Sequence, residues 1–142
     1  MFRLRPAKPE DVNFIVHSFL KRYRDAIHIR LVTDKVYYEK QHAVIAKILQ
    51  TPGCDVRVAC DPEDENHIYG WVLAEHLTDD WILLHFCYVK GAFRRFGVAK
   101  ALLNDVIGTS TKIQYTHKTK LVDFLDPQNR AVFNPMYVWA MA

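Results

Sequence analysis

Tyr88-Val89-Lys90-Gly91-Ala92-Phe93-Arg94-Arg95-Phe96-Gly97-Val98-Ala99-Lys100-Ala101-Leu102-Leu103 is the stretch on which the fold turns. It reads as the end of an apolar strand, a loop with two arginines, and a helix whose first turn holds Gly97, Val98 and Ala99. Backbone N–H groups at a helix N-terminus have no partner inside the helix and carry the positive end of its dipole, so they form a ready anion site. Side chains larger than Gly97 and Ala99 would hold a phosphate away from those groups. Arg94 and Arg95 add charge and fork-shaped donors. Taken alone, the pattern also fits a plain strand-to-helix turn with a solvated arginine pair.

Upstream of this stretch, Trp81 to Val89 is apolar at both parities, as a strand in the middle of a sheet is. Ile68 to Leu77 and Asp55 to Cys60 read as two further strands, parted by the polar turn Asp61-Pro62-Glu63-Asp64-Glu65-Asn66, and Thr78-Asp79-Asp80 is a tight turn. Val12, Ile15, Val16, Phe19, Leu20 and Tyr23 fall at helical spacing after Pro9-Glu10-Asp11. A second helix starts with Thr33 or Asp34 as N-cap and stops at Thr51-Pro52-Gly53. Phe2-Arg3-Leu4-Arg5 alternates like an edge strand that Pro6 ends. Downstream come a helix from Gly97 to Ile107 closed by Gly108, a strand around Ile113 to His117, a helical stretch from Leu121 to Phe133 divided at Pro127, and a last strand from Met136 to Met141. The order is β-α-α-β-β-β-α-β-α-β.

The 142 residues suit one domain, 1–142, with one core, and 50% hydrophobic with 25% charged residues is the balance of a folding globular chain. The longest apolar runs fall far short of the roughly 18 residues of a membrane span, and residues 1–5 show no signal-peptide core, so a cytoplasmic protein without a membrane partner is expected. Cys54, Cys60 and Cys87 form no C-x-x-C pair, and the seven histidines have no finger or H-E-x-x-H spacing, which disfavours disulfides and metal. A net charge of +3 suits an anionic cofactor without calling for nucleic acid.

The run Arg94-x-x-Gly97-x-Ala99 after a strand ending in Val89 resembles the [Q/R]-x-x-G-x-[G/A] acetyl-CoA signature of the GCN5-related N-acetyltransferases, the GNAT superfamily. The resemblance covers nearly the whole chain, from the Phe-Arg-Leu-Arg-Pro-Ala opening through the element order. Asn129 to Tyr137 matches the family's Asn and Tyr pattern only loosely, and the Phe-Asn-Pro-x-Tyr ending is similar to that of short GNAT-like proteins of tailed phages. The resemblance implies an α+β GNAT fold: a mixed sheet of six or seven strands flanked by about four helices, with a splayed strand pair holding acetyl-CoA. It implies that pantetheine lies along Cys87, Tyr88 and Val89 as an added strand, with the Cys87 N–H facing the thioester carbonyl. Arg94, Arg95, Phe96, Gly97, Val98 and Ala99 would hold the pyrophosphate, Lys100 would reach the ribose phosphate, and Asn129 joins the cofactor-binding set. The acceptor pocket would be built around Tyr23 to Tyr38 and Thr78 to Asp80.

An amine must lose a proton before or during attack, so a base is needed near the thioester. His85 is the first candidate, because an imidazole with a reference pKa of about 6.5 can be neutral at working pH. It shares a strand face with Leu83, the position where lysine-modifying relatives carry a carboxylate. Glu75, on the preceding strand, is the second candidate. Tyr137 is the nearest match to the tyrosine that protonates the departing CoA thiolate in many GNATs. For each, a structural role stands beside the catalytic one: a core histidine, an exposed or salt-bridged carboxylate and a core aromatic. Cys87, inside an apolar strand, reads as a small hydrophobe rather than a nucleophile. Lys112, Tyr115, His117, Lys118 and Lys120 are too sparse for a nucleic-acid groove and read as a solvated strand end beside the CoA phosphates.

The expected activity is therefore acetyl transfer from acetyl-CoA to an amine of a small molecule or protein by direct attack in a ternary complex, with no metal. The alternatives are a non-catalytic CoA- or protein-binding GNAT-like module, and an acyl-type transferase acting on a nucleic acid base. A homodimer stays open, and a phage-encoded chain would work in the host cytoplasm.

Overall fold

The structure, a computed structural model, describes residues 1–26, 29–77, 80–119 and 131–139. Strands β1 (Arg3–Pro6), β2 (Cys54–Cys60), β3 (Ile68–His76), β4 (Trp81–Val89), β5 (Lys112–Tyr115) and β6 (Val132–Phe133) lie side by side in that order in one sheet. The first four are antiparallel, while β5 runs parallel to β4 and β6 parallel to β5. Helices α1 (Val12–Tyr23), α2 (Asp34–Gln50), α3 (Val98–Ile107) and the short α4 (Met136–Trp139) complete the α+β architecture that the element order implies.

Both faces of the sheet are covered, which explains why β3 and β4 read as continuous apolar runs. On one face Trp71 and Leu73 of β3 and Phe86 of β4 pack with Ile15 and Phe19 of α1 and Ile45 and Ile48 of α2. On the other, Val72, Ala74 and Ile82 meet Val98, Leu102 and Val106 of α3. Each such fully buried aliphatic or aromatic side chain stabilises by about 1.5–3 kcal/mol. Trp71 also donates its ring N–H to Ser18 Oγ at 2.8 Å, and Ser18 donates to the Phe14 carbonyl at 2.6 Å, so α1 is keyed to β3 by a satisfied buried polar contact. Gly70 lets β4 come close, because a Cβ there would lie 2.4 Å from the Tyr88 carbonyl oxygen.

Two irregularities shape the centre of the sheet. The β3–β4 register shifts between Leu73, opposite Phe86, and Ala74, opposite Leu84, so His85 is an extra residue with no partner on β3. The β4–β5 ladder ends with Leu84 opposite Tyr115 and one further bond, Thr116 N–H to the Leu84 carbonyl at 3.1 Å. Beyond that vertex β4 runs on through Val89 with no β5 partner. The split between the strand Trp81 to Val89 and the strand near Ile113 is thus where the resemblance implies it.

The C-terminal expectations need correction. Val132–Phe133 is a strand beside β5, not the end of a helix, with Val132 opposite Gln114 and Phe133 opposite Tyr115. Tyr115 and Phe133 stack at 5.2 Å between ring centroids. Met136 to Trp139 is helical, not extended. Pro135 presets the backbone for a first helical turn, and the Val138 N–H bonds to its carbonyl at 3.2 Å. The expected helix from Leu121, with Pro127, lies outside the described residues up to 130, and so do Thr78, Asp79 and the end of the expected last strand.

Candidate active site

The bulge on β4 sets His85 and Phe86 side by side on the α1–α2 face, where His85 is 1% exposed. Its Nε2 lies 2.8 Å from Glu75 Oε1 and its Nδ1 2.8 Å from Thr116 Oγ1. Tyr137, on α4, donates its hydroxyl to the other Glu75 oxygen at 2.7 Å. The three acid–base candidates therefore meet in one cluster at the vertex of the strand fork. Glu75 is 3% exposed, so an exposed carboxylate is excluded. Burial pushes its carboxyl up, but the hydrogen bonds from His85 and Tyr137 outweigh this and hold it below the usual carboxylate range, so it is charged at neutral pH. Burial, with the hydrogen bond to Glu75 and its charge, pushes Tyr137 up to about 12, which keeps its proton in place as a donor.

The cluster continues beyond the residues that the sequence singled out. Thr116 Oγ1 lies 2.8 Å from His117 Nδ1, and His117 Nε2 lies 3.4 Å from Gln41 Oε1 on α2. His117 is not on a solvated strand end. It is 3% exposed, with its ring 5.3 Å from Phe19, 4.7 Å from Tyr23 and 6.3 Å from Phe86. The missed signal is the Thr116-His117 pair directly after the short strand Lys112–Tyr115.

Past the vertex, the Lys90 N–H bonds to the Tyr69 carbonyl, so by strand alternation Cys87 and Val89 turn their backbone groups to the open side of β4. Arg94 Nε donates to the Val89 carbonyl at 3.1 Å and folds the loop back against the strand end. Burial pushes the Cys87 thiol up to about 12, which suits a small hydrophobe and not a thiolate nucleophile.

Gly97 caps α3 at φ +80°, a left-handed conformation that favours glycine, and a Cβ there would meet nothing within 4 Å. The first helical bond is Ala101 N–H to the Gly97 carbonyl at 3.0 Å, which leaves the amides of Val98, Ala99 and Lys100 without an intrahelical partner. The Val98 side chain is buried in the α3 core, so it offers only its amide. Arg94, Arg95, Phe96 and Lys100 are exposed around this cradle. Free amides beside open space at Gly97, with exposed Arg94, Arg95 and Lys100 flanking it in sequence, could hold an anion. Asn129 and Lys120 lie outside the described residues. A hollow of about 300 Å³ adjoins the loop, between Phe14, His17, Lys21 and Arg22 of α1 and Tyr88 and Arg94. Lys21 and Arg22 went unnoticed in the sequence, although their spacing from Phe14 and His17 puts them on one helix face.

The sequence model of the acetyltransferase (GNAT) family matches residues 18–133. The chain belongs to the GNAT acetyltransferase family. No curated protein matches its sequence. A Pyrococcus furiosus protein described as an acetyl transferase superposes with a TM-score of 0.71 at 14% identity, over 91% of this chain and 92% of its own. AAC(6')-Iy, solved with the bisubstrate analogue CoA-S-monomethyl-acetylneamine, gives 0.56 at 15% identity, over 90% and 88%. The PaiA N-acetyltransferase of Thermoplasma acidophilum, solved with coenzyme A, gives 0.52 at 12% identity, over 75% and 69%. These structural likenesses concern the fold. Transfer in GNAT acetyltransferases generally depends on acetyl-CoA.

Proposed function

We propose that this GNAT protein moves the acetyl group of acetyl-CoA to an amine, with His85 as general base. The observation that carries the reading is the Tyr137–Glu75–His85–Thr116 chain of hydrogen bonds at the vertex of the fork. A charged Glu75 fixes the His85 tautomer with hydrogen on Nε2, which leaves the Nδ1 lone pair toward Thr116. When His85 takes up the amine proton, the imidazolium lies against the carboxylate that balances it. Glu75 is in this reading a positioning residue. The amides of Val98, Ala99 and Lys100, with Arg94, Arg95, Phe96 and Gly97, would hold the pyrophosphate, Lys100 the ribose phosphate, and Cys87, Tyr88 and Val89 the pantetheine. The Cys87 N–H would face the thioester oxygen. Tyr137 is the donor to the departing thiolate.

The test is thiol release from acetyl-CoA with a panel of primary amines, small molecules and lysine peptides, with the acetylated product identified by mass. Amine-dependent release that falls about 10²-fold or more in a folded His85→Gln variant, with acetyl-CoA binding retained, is the expected result. Binding without turnover across the panel would instead favour a non-catalytic CoA-binding module.

A further inference from the structure

The hollow beside the loop and the Gly97 cradle lie on opposite faces of the sheet. Tyr88, which lines the hollow, packs against the core under α1 and α2, whereas Val98 at the cradle packs in the core under α3. His85 is on the hollow's side, its ring 5.9 Å from that of Tyr137, which packs against the same core. Along β4, Tyr88 stands three residues past His85, about 10 Å at the rise of a strand. The walls of the hollow converge in charge. Lys21 and Arg22 come from the last turn of α1, and Arg94 comes from the loop after β4. Lys90 Nζ stands 5.1 Å from the centre of the Phe14 ring, which lines the same hollow. The negative end of the α1 dipole accounts for cations in its last turn, but not for the two from the β4 side. Asp25 also lines the hollow, 3.8 Å from Arg22, but with side chains 71% and 48% exposed this pair is screened by solvent. Phe14 meets Tyr88 edge to face at 6.1 Å and Tyr88 stacks on Trp71 at 6.0 Å, so the floor is apolar and held in place. At about 300 Å³ the hollow takes a small head group.

We propose that this hollow holds the anionic group, a phosphate or a carboxylate, of a small amine acceptor, with Lys21 and Arg22 as the residues that select it. The inference rests on the acetyl-transfer reading and names the chemical class of the acceptor. A guanidinium fork and an ammonium beside it suit either anion, and an apolar floor strengthens such contacts by keeping water from one side of them. With the anion in the hollow, the acceptor runs back along β4 toward Cys87, the neighbour of Tyr88 in the strand, whose N–H faces the thioester in that reading. The amine then stands a few bonds from its own anion, as in an amino acid or a phosphorylated amino alcohol. A diamine would bring a second ammonium against Lys21 and Arg22 and be repelled, so the same cations that select one class reject another. The phosphates of the donor share the anion's chemistry, and Arg94 borders both places, but the free amides that suit them belong to α3 on the far face.

The experiment has two arms on the full chain. In the first, phosphoethanolamine is titrated by calorimetry into protein saturated with CoA, and CoA into protein alone. Saturable binding of phosphoethanolamine is expected, weakened about tenfold or more in a Lys21→Met, Arg22→Gln double variant whose Kd for CoA moves less than twofold. Exclusion of phosphoethanolamine by CoA, or an equal weakening of CoA in the variant, would assign the hollow to the donor's phosphates and overturn the proposal. The second arm compares kcat/KM for acetylation of phosphoethanolamine with ethanolamine, and of 4-aminobutyrate with 1,4-diaminobutane. The wild type should favour the anionic member of each pair by about tenfold or more. The double variant should lose that ratio, Lys21→Arg should keep it, and added salt should erode it. Ratios within twofold in the wild type overturn the acceptor class and leave acetyl transfer to amines standing. Binding in the first arm with no amine acetylated in the second supports the anion site and overturns the acetyl-transfer reading alone.

Discussion

Tyr137 has one hydrogen to give, and it lies on the Glu75 carboxylate. A phenol held at about 12 carries its proton at neutral pH, as a donor to a departing thiolate must. Tyr137→Phe keeps the ring and its packing and removes the donor. Turnover should then fall by about 10²-fold while acetyl-CoA affinity stays level, read as kcat against Kd. A turnover within twofold of wild type would remove Tyr137 from the chemistry and leave solvent as the proton source. The sequence offered His85, Glu75 and Tyr137 as separate candidates, because residue type and strand position are written in it. Their meeting was not legible, since it depends on the pairing of β3 with β4, which sets Glu75 opposite Leu83 on the face His85 shares, and on a helix where an extended strand was expected. Thr116 and Gln41 passed unread because a hydroxyl or an amide gains meaning only from what it touches.

At the level of elements, the alternation of Phe2-Arg3-Leu4-Arg5 identified an edge strand, yet Arg5 is more deeply buried than Leu4. The reason is a partner that periodicity does not encode. Asp11, in the turn that leads into α1, takes two bonds from the Arg5 guanidinium at 2.7 and 3.1 Å and a third from the Lys8 N–H. Burial pushes the Asp11 carboxyl up, but the bonds from Arg5 and Lys8 outweigh it, and the net position is below the ordinary 3.8. A carboxyl lowered on folding contributes stability that is complete above its unfolded pKa and is lost as pH falls through the folded one. Asp11→Asn should thus cost about 3–5 kcal/mol at pH 7 by leaving a buried guanidinium without its counter-charge. The gap to wild type should narrow as pH drops below 3.8, in urea unfolding at several pH values. An equal gap at pH 7 and at pH 3 would show that the pair contributes no linkage.

Across the whole molecule, the features that carry the fold were legible because each is local: a two-faced apolar strand, two amphipathic helices, and a glycine-bearing loop that opens a third. The fork is not local, since it arises where β4 outruns β5, and it sets the bulge cluster at one end and the Gly97 cradle at the other. A donor that spans this distance binds only the folded chain, so it must stabilise the whole fold. At a free CoA concentration 100 times Kd the gain is about 2.7 kcal/mol, which for a chain of this size raises Tm by roughly 5–15 °C. Gly97→Glu separates binding from folding. Its Cβ would meet no neighbouring atom, so packing is untouched, and the left-handed backbone costs on the order of 1–2 kcal/mol, which lowers the unliganded Tm only modestly. On the proposed reading the carboxylate would meanwhile stand beside the pyrophosphate and repel it. The variant should melt cooperatively and show no rise with CoA in a thermal scan, and calorimetry should find no binding heat. A Gly97→Glu protein that gains as many degrees from CoA as the wild type would place the phosphates elsewhere on the chain.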